Sequence, residues 1–216
     1  EPSGLLTHGL FNDLPVVFLA RHGYSHQIPP HMVNYRANMW ALKNIGIEHV
    51  LAVAAVGGIN KEMSPGCLAI PDQIIDYTYG RAHTFFEKDL QNVTHIDFSQ
   101  PYDEEMRQTL MQAADMEGVD IQKHGVYGAT QGPRLETAAE INRMERDGCD
   151  MVGMTGMPEA SLARELGLRY VTCAVSANWA AGRGPEITMS DIQKTLSEGM
   201  KKVGTILERT VKLMAA

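Results

Sequence analysis

The stretch 136–176, ETAAEINRMERDGCDMVGMTGMPEASLARELGLRYVTCAVS, decides the fold class. Its apolar residues recur at helical spacing over 136–147, and Gly148 supplies a stop, because glycine readily takes the left-handed conformation in which helices end. A short apolar run at 151–155 reads as a strand. Pro158 then suits the first turn of another helix, where its missing N–H costs nothing, and 169–176 (RYVTCAVS) is a strand again. Helix, strand, helix and strand in so short a span mean an α/β protein with a mixed, mostly parallel central sheet covered by helices on both faces.

The alternation continues on both sides. Upstream, 15–20 (PVVFLA) is expected to be a buried strand, and 33–44 a helix with Val33, Ala37, Trp40 and Ala41 at helical spacing. The run 49–56 (HVLAVAAV) is a strand closed by Gly57-Gly58; 67–71 and 73–79 are β-rich, 103–117 is a helix and 122–127 a strand. Downstream, Ser190-Asp-Ile-Gln193 reads as a capping box. It opens a helix whose Ile192, Leu196, Met200, Val203, Leu207 and Val211 form one apolar stripe.

A chain of 216 residues suits a single domain, 1–216, large enough to need no disulfide or metal staple. Its net charge of −7, with no run of basic residues, argues against nucleic acid as a partner. Cys67, Cys149 and Cys173 are isolated and odd in number, which fits small core residues in a reducing, cytoplasmic setting. No apolar stretch reaches the roughly 18 residues of a membrane span. His22, His26 and His31 do not read as a metal site, because Pro29-Pro30 interrupts any helix that would align them.

Ligands of open α/β sheets bind beyond the carboxyl ends of strands, and several residue groups fall there. Arg21-His22-Gly23 follows the first strand: arginine offers a fork to phosphate, histidine a further donor, and glycine lets the backbone turn closely round an anion. The same tripeptide reads equally as a surface turn with a lone ion pair. A phospho-histidine phosphatase reading fails on the absence of any histidine after His124. Gly57-Gly58 would let main-chain N–H groups approach an oxyanion, or form a plain tight turn. Thr155 lies where a hydroxyl and a helix N-terminus could meet phosphate, and Glu136 near a helix start could simply complement the helix dipole.

Taken in order, Arg21-His22-Gly23, Pro30-His-Met-Val-Asn-Tyr-Arg-Ala-Asn38, Gly132-Pro-Arg134 and Met154-Thr-Gly-Met-Pro-Glu-Ala160 resemble the methylthioadenosine branch of the purine nucleoside phosphorylases over nearly the whole chain. The resemblance implies phosphate bound by Arg21, His22 and Thr155 with main-chain groups near Ala54 and Ala55, and a ribose over Met154. Asn178, Trp179 and Ala180 would read the purine, Asn178 being the catalytic residue, with Leu135 covering the base. Glu136 and Met189 would set specificity, and His95 would reach a neighbour's site in a homotrimer. No metal or organic cofactor is implied; inorganic phosphate is a co-substrate. The family's first strand and its Gly-rich phosphate loop are expected ahead of Glu1, which opens in a loop-like stretch.

Where adenine-cleaving members carry two aspartates in a Thr-Asp-Tyr-Asp string, this chain has Ala177-Asn178-Trp179-Ala180. A carboxylate pair suits a 6-amino group; an amide can both donate and accept, which suits a 6-oxopurine. Ile187-Thr188-Met189, with no histidine for a 5′-hydroxyl, suits an apolar 5′ group. The resemblance therefore implies phosphorolysis of S-methyl-5′-thioinosine to hypoxanthine and 5-methylthioribose 1-phosphate. Methylthioadenosine or general 6-oxopurine nucleoside phosphorolysis, and an inactive nucleoside-binding protein, are the alternatives.

Overall fold

The computed structural model describes residues 1–11, 13–88 and 90–215. Its strands are β1 (Thr7–Phe11), β2 (Leu14–Phe18), β3 (His49–Gly58), β4 (Leu68–Ala69), β5 (Gln73–Asp76), β6 (Ile121–Gln122), β7 (Val126–Ala129), β8 (Met151–Gly153) and β9 (Arg169–Trp179). Its helices are α1 (Tyr35–Asn44), α2 (Glu104–Met116), α3 (Ala138–Arg146), α4 (Gly156–Glu165) and α5 (Met189–Met214). Seven strands form one sheet in the order β5-β7-β8-β3-β9-β4-β6. The pairs β5–β7, β7–β8, β3–β9 and β4–β6 are parallel, whereas β8–β3 and β9–β4 are antiparallel. The sheet is mixed and mostly parallel, as the alternation of elements requires.

The long apolar runs in β3 and β9 follow from burial on both faces, since alternate side chains of a strand point to opposite sides. Ala52, Ala54 and Val56 join one cluster with Tyr35, Met39 and Leu42 of α1 and Leu162 of α4. Leu51 and Val53 face the other, with Met106 and Leu110 of α2 and Val203 and Ile206 of α5. Side-chain caps start α1, α2 and α3: Asn34 accepts from the Ala37 N–H, Asp103 from Met106, and Thr137 and Glu140 form a reciprocal capping box.

Four local expectations are corrected. The 15–20 strand is β2, which ends at Phe18 and pairs only with β1 in a separate two-stranded sheet, so Phe18 is exposed rather than buried. The 122–127 strand is two strands. Gly125, at φ +154, lies between them, and β6 joins β4 while β7 joins β5 and β8. The last helix is capped by Thr188, whose hydroxyl accepts from the Asp191 N–H, not by Ser190. Its buried side runs through Gly199, Val203, Ile206 and Thr210, which leaves Met200 exposed. Finally, Met157 and Pro158 depart from helical dihedrals, so the regular part of α4 begins only after Pro158.

Candidate active site

Register brings the phosphate candidates together. Gly57 and Gly58 of β3 pair with Val152 and Met151 of antiparallel β8. Met154 and Thr155 follow directly on the end of β8 at Gly153. On its other edge β3 pairs in parallel with β9, Gly57 opposite Asn178 and Gly58 opposite Trp179. Thr155, just after β8, and Asn178, in β9, thus belong to the segments along the two edges of β3. Ala55, midway along a central strand, is exposed, so the sheet is open at this point.

Arg21 reaches this place from the loop after β2. Gly23, at φ +75, makes the turn, its N–H donating to the Ala20 carbonyl. The guanidinium does not present its fork to the open side, as the sequence reading expects. Nε and Nη2 donate to the two carboxylate oxygens of Glu159 at 2.8 and 2.6 Å, and Nη1 donates to the Val53 carbonyl at 3.0 Å. Glu159 is 1% exposed and also accepts from the Tyr170 hydroxyl at 2.9 Å. Burial favours a neutral arginine, but the carboxylate outweighs it and holds the Arg21 pKa above its ordinary value. Three of the five guanidinium N–H groups are therefore committed to protein, and an anion would meet only the remaining edge.

His22 lies beside it, half-buried, with Nδ1 2.8 Å from the Ile28 carbonyl and its ring 4.6 Å from that of His26. Donation from Nδ1–H leaves Nε2 as the free ring nitrogen. Burial pushes the His22 pKa below the ordinary 6.5; the Ile28 bond opposes this, and His26 and Arg21 add to it. Between the lowered folded value and 6.5 the unfolded chain binds the extra proton, so this contribution to stability is complete above 6.5 and is lost as pH falls through the folded value. We expect the melting temperature of the protein to fall from neutrality into the acid range, and His22→Gln to flatten part of that fall. A variant whose acid profile matches that of the wild type would remove His22 as a contributor.

Thr155 is buried and caps α4 without a side-chain capping bond; its N–H points to the Tyr127 hydroxyl at 3.4 Å. Met154 precedes it, packed so closely that a Cβ on Gly132 would lie 2.4 Å from its sulfur. In β9, the Asn178 amide donates to the Trp179 carbonyl at 2.7 Å, and Trp179 packs against Gly184. Glu136 accepts from the Thr130 hydroxyl at 2.6 Å, just beyond the end of β7.

Ala180 requires a correction. It is 3% exposed, in a cluster with Ile59, Ile141, Met144, Cys149 and Val152, and its N–H donates to the Gly58 carbonyl. Its methyl is core, so Ala180 holds the loop in place rather than lining a pocket. Met189 is 67% exposed at the start of α5, and Leu135 and His95 are exposed as well; none of the three is packed into the site.

Two groups central to this arrangement escape the sequence reading. Glu159 had a local signal: on a helix it shares the buried face with Leu162 and Ala163, and a carboxylate there needs a partner. Arg81 had none. It lies in the irregular connection between β5 and α2, where no periodicity marks a buried position.

The pattern has counterparts among known proteins. A family model described as "Phosphorylase superfamily" matches residues 2–212. The chain belongs to the phosphorylase superfamily. It is 56% identical to the "Probable S-methyl-5′-thioinosine phosphorylase" of Pseudomonas syringae pv. tomato, across 97% of this chain and 86% of that protein. It is 43% identical to the "6-oxopurine nucleoside phosphorylase" of Pyrococcus furiosus, across 97% of this chain and 81% of that protein. Among solved structures, methylthioadenosine phosphorylase from Schistosoma mansoni in complex with adenine superposes with a TM-score of 0.95 at 33% identity, covering all of this chain and 82% of that one. The α/β fold is thus that of the nucleoside phosphorylases, and the chain is an enzyme of the pentosyl-transferring phosphorylase type.

Proposed function

We propose that the protein phosphorolyses S-methyl-5′-thioinosine, releasing hypoxanthine and 5-methylthioribose 1-phosphate. The observation that carries the reading is Asn178, an amide in β9 where a paired-carboxylate site would hold aspartate. A high identity to relatives named for this nucleoside supports it. In this reading Arg21, His22 and Thr155 hold inorganic phosphate near the Ala54 and Ala55 main chain, and Met154 lies under the ribose. Asn178 and Trp179 face the base, with Ala180 as their support. Glu136 and Met189 bear on specificity.

The C1′–N9 bond breaks with its electron pair going to the purine, and a phosphate oxygen forms the new bond to C1′. Asn178 meets charge developing on the base, and phosphate meets charge on the sugar, so catalysis is positional and electrostatic. No metal or organic cofactor enters the scheme. The reading includes a homotrimer in the cytoplasm. No helix among the described residues is long and apolar enough to cross a membrane.

General 6-oxopurine nucleoside phosphorolysis is the second reading, favoured by the Pyrococcus furiosus relative. A panel of methylthioinosine, inosine, methylthioadenosine and adenosine, each given with phosphate to the protein, separates them. The expected result is the highest kcat/KM for methylthioinosine. Inosine turned over equally well would favour the second reading, and a preference for methylthioadenosine would overturn both.

A further inference from the structure

We infer that Arg81 is a positioning residue of the active site, fixing the peptide that carries Thr155 and tying it to the segments on either side. The inference rests on the proposed phosphorolysis for what the site does, and on bonding geometry for how Arg81 acts. The side chain is 8% exposed, and no carboxylate among the described residues pairs with it. Its donors go instead to three separate segments. Nη1 donates to the carbonyls of Met154 (2.9 Å) and Met157 (2.5 Å) and to the Tyr35 hydroxyl (3.3 Å). Nη2 donates to the carbonyls of Thr130 (3.1 Å) and Gln131 (2.8 Å), and Nε to Gln131 Oε1 (3.1 Å). The guanidinium also stands 5.4 Å from the Tyr35 ring centroid, within cation–π range.

One peptide plane shows what this arrangement does. The Met154 carbonyl and the Thr155 N–H belong to the same rigid unit and point in opposite directions. Arg81 holds the carbonyl end, and the fully buried Tyr127 hydroxyl accepts from the N–H end. With both ends tied, the plane cannot rotate, and the directions of the Met154 and Thr155 side chains are set together. The same guanidinium grips Thr130, whose hydroxyl holds Glu136, and Tyr35, which donates to the Pro30 carbonyl. Only a planar fork with five donors spans three segments in this way; an ammonium on a flexible stem cannot.

Charge adds a second consequence. Arg21 is matched by Glu159, so that pair brings no net charge to the phosphate side. Arg81 has no carboxylate partner among the described residues, and its guanidinium donates to the carbonyl of the peptide that carries Thr155. A guanidinium at this place contributes positive potential where an anionic co-substrate would arrive.

The test compares kinetics at a temperature where every variant is folded, using the nucleoside that the wild type turns over best and varying inorganic phosphate. Arg81→Lys is expected to lose about 100-fold in kcat/KM, the scale on which a 1 Å misplacement acts, with a raised KM for phosphate. Methylguanidinium added to Arg81→Ala should restore part of the lost rate. Arg107 is the control, because it is another buried guanidinium on backbone carbonyls (Pro71, Ile70 and Lys123), but in α2 on the opposite face of the sheet. Arg107→Lys should melt earlier with kcat and KM unchanged. If Arg81→Lys does not fold, Tyr127→Phe releases the other end of the same peptide plane without altering charge. It should raise the phosphate KM about tenfold, a smaller share of the same misplacement effect. The inference is overturned if Arg81→Lys loses no more activity than Arg107→Lys, or if folded Tyr127→Phe keeps the wild-type phosphate KM. The substrate reading fails separately, through the wild type's own preference among nucleosides.

Discussion

Replacing Glu159 with alanine is expected to lower the melting temperature by roughly 6–20 °C, the shift that a loss of about 3–5 kcal/mol produces in a chain of this size. The cost comes from what is left behind. Glu159 is 1% exposed and binds Arg21 through both oxygens, with Tyr170 adding a third bond. Without it the guanidinium keeps its charge and its desolvation while losing the partner that offsets them. Thr172 donates to the Tyr170 hydroxyl, so the loss runs further into the core. A double variant separates stability from function. Arg21→Met combined with Glu159→Leu replaces the pair by apolar groups, which is often close to neutral for stability, yet it should abolish phosphate use. Thermal denaturation and phosphate kinetics on the three proteins decide the matter. A Glu159→Ala protein melting within about 3 °C of wild type, roughly 1 kcal/mol, would mean the pair does not hold the fold together.

At the base loop, two substitutions that look alike in sequence should behave very differently. Asn178→Asp is expected to fold and to shift the kcat/KM ratio from methylthioinosine toward methylthioadenosine by about tenfold or more. A 6-oxopurine facing a carboxylate meets an acceptor where it needs a donor, and one unmatched buried polar group costs about 1–3 kcal/mol. Ala180→Asp should instead destabilise the protein by several kcal/mol, because it drives a carboxylate into the cluster of Ile59, Ile141, Met144, Cys149 and Val152. Kinetics with both nucleosides read the first substitution, and denaturation reads the second. A ratio that moves less than about threefold in Asn178→Asp would transfer base recognition to another residue, Glu136 being next to test. A stable Ala180→Asp protein would show that the methyl faces an opening after all.

The sequence alone determined the α/β class, most of the elements and the order of the site segments. Those features rest on interactions that reach three or four residues along the chain. Continuous apolar runs marked β3 and β9, helical spacing marked α1 and α3, and Gly148 marked the end of α3. The ordered strings from Arg21 to Ala160 were enough to point to the family to which the chain belongs. Where local signals competed, they misled: Ser190 and Gln193 imitate a cap, although Thr188 has the hydroxyl at the actual turn into α5. A run such as 122–127 carries no mark of which neighbour each half will join.

The tertiary structure alone decided who faces whom. Arg21 and Glu159 are 138 residues apart, and only the approach of α4 to the loop after β2 turns a free phosphate fork into a buried pair. Arg81 became the joint of three segments from a connection without periodicity, and Ala180 became core because β9 lies against Gly57 and Gly58. The physical reason is that a buried charge or methyl takes its energy from atoms distant in sequence. The elements follow from neighbours along the chain, whereas the partners of Arg21, Arg81 and Ala180 follow from the order in which the strands are laid side by side.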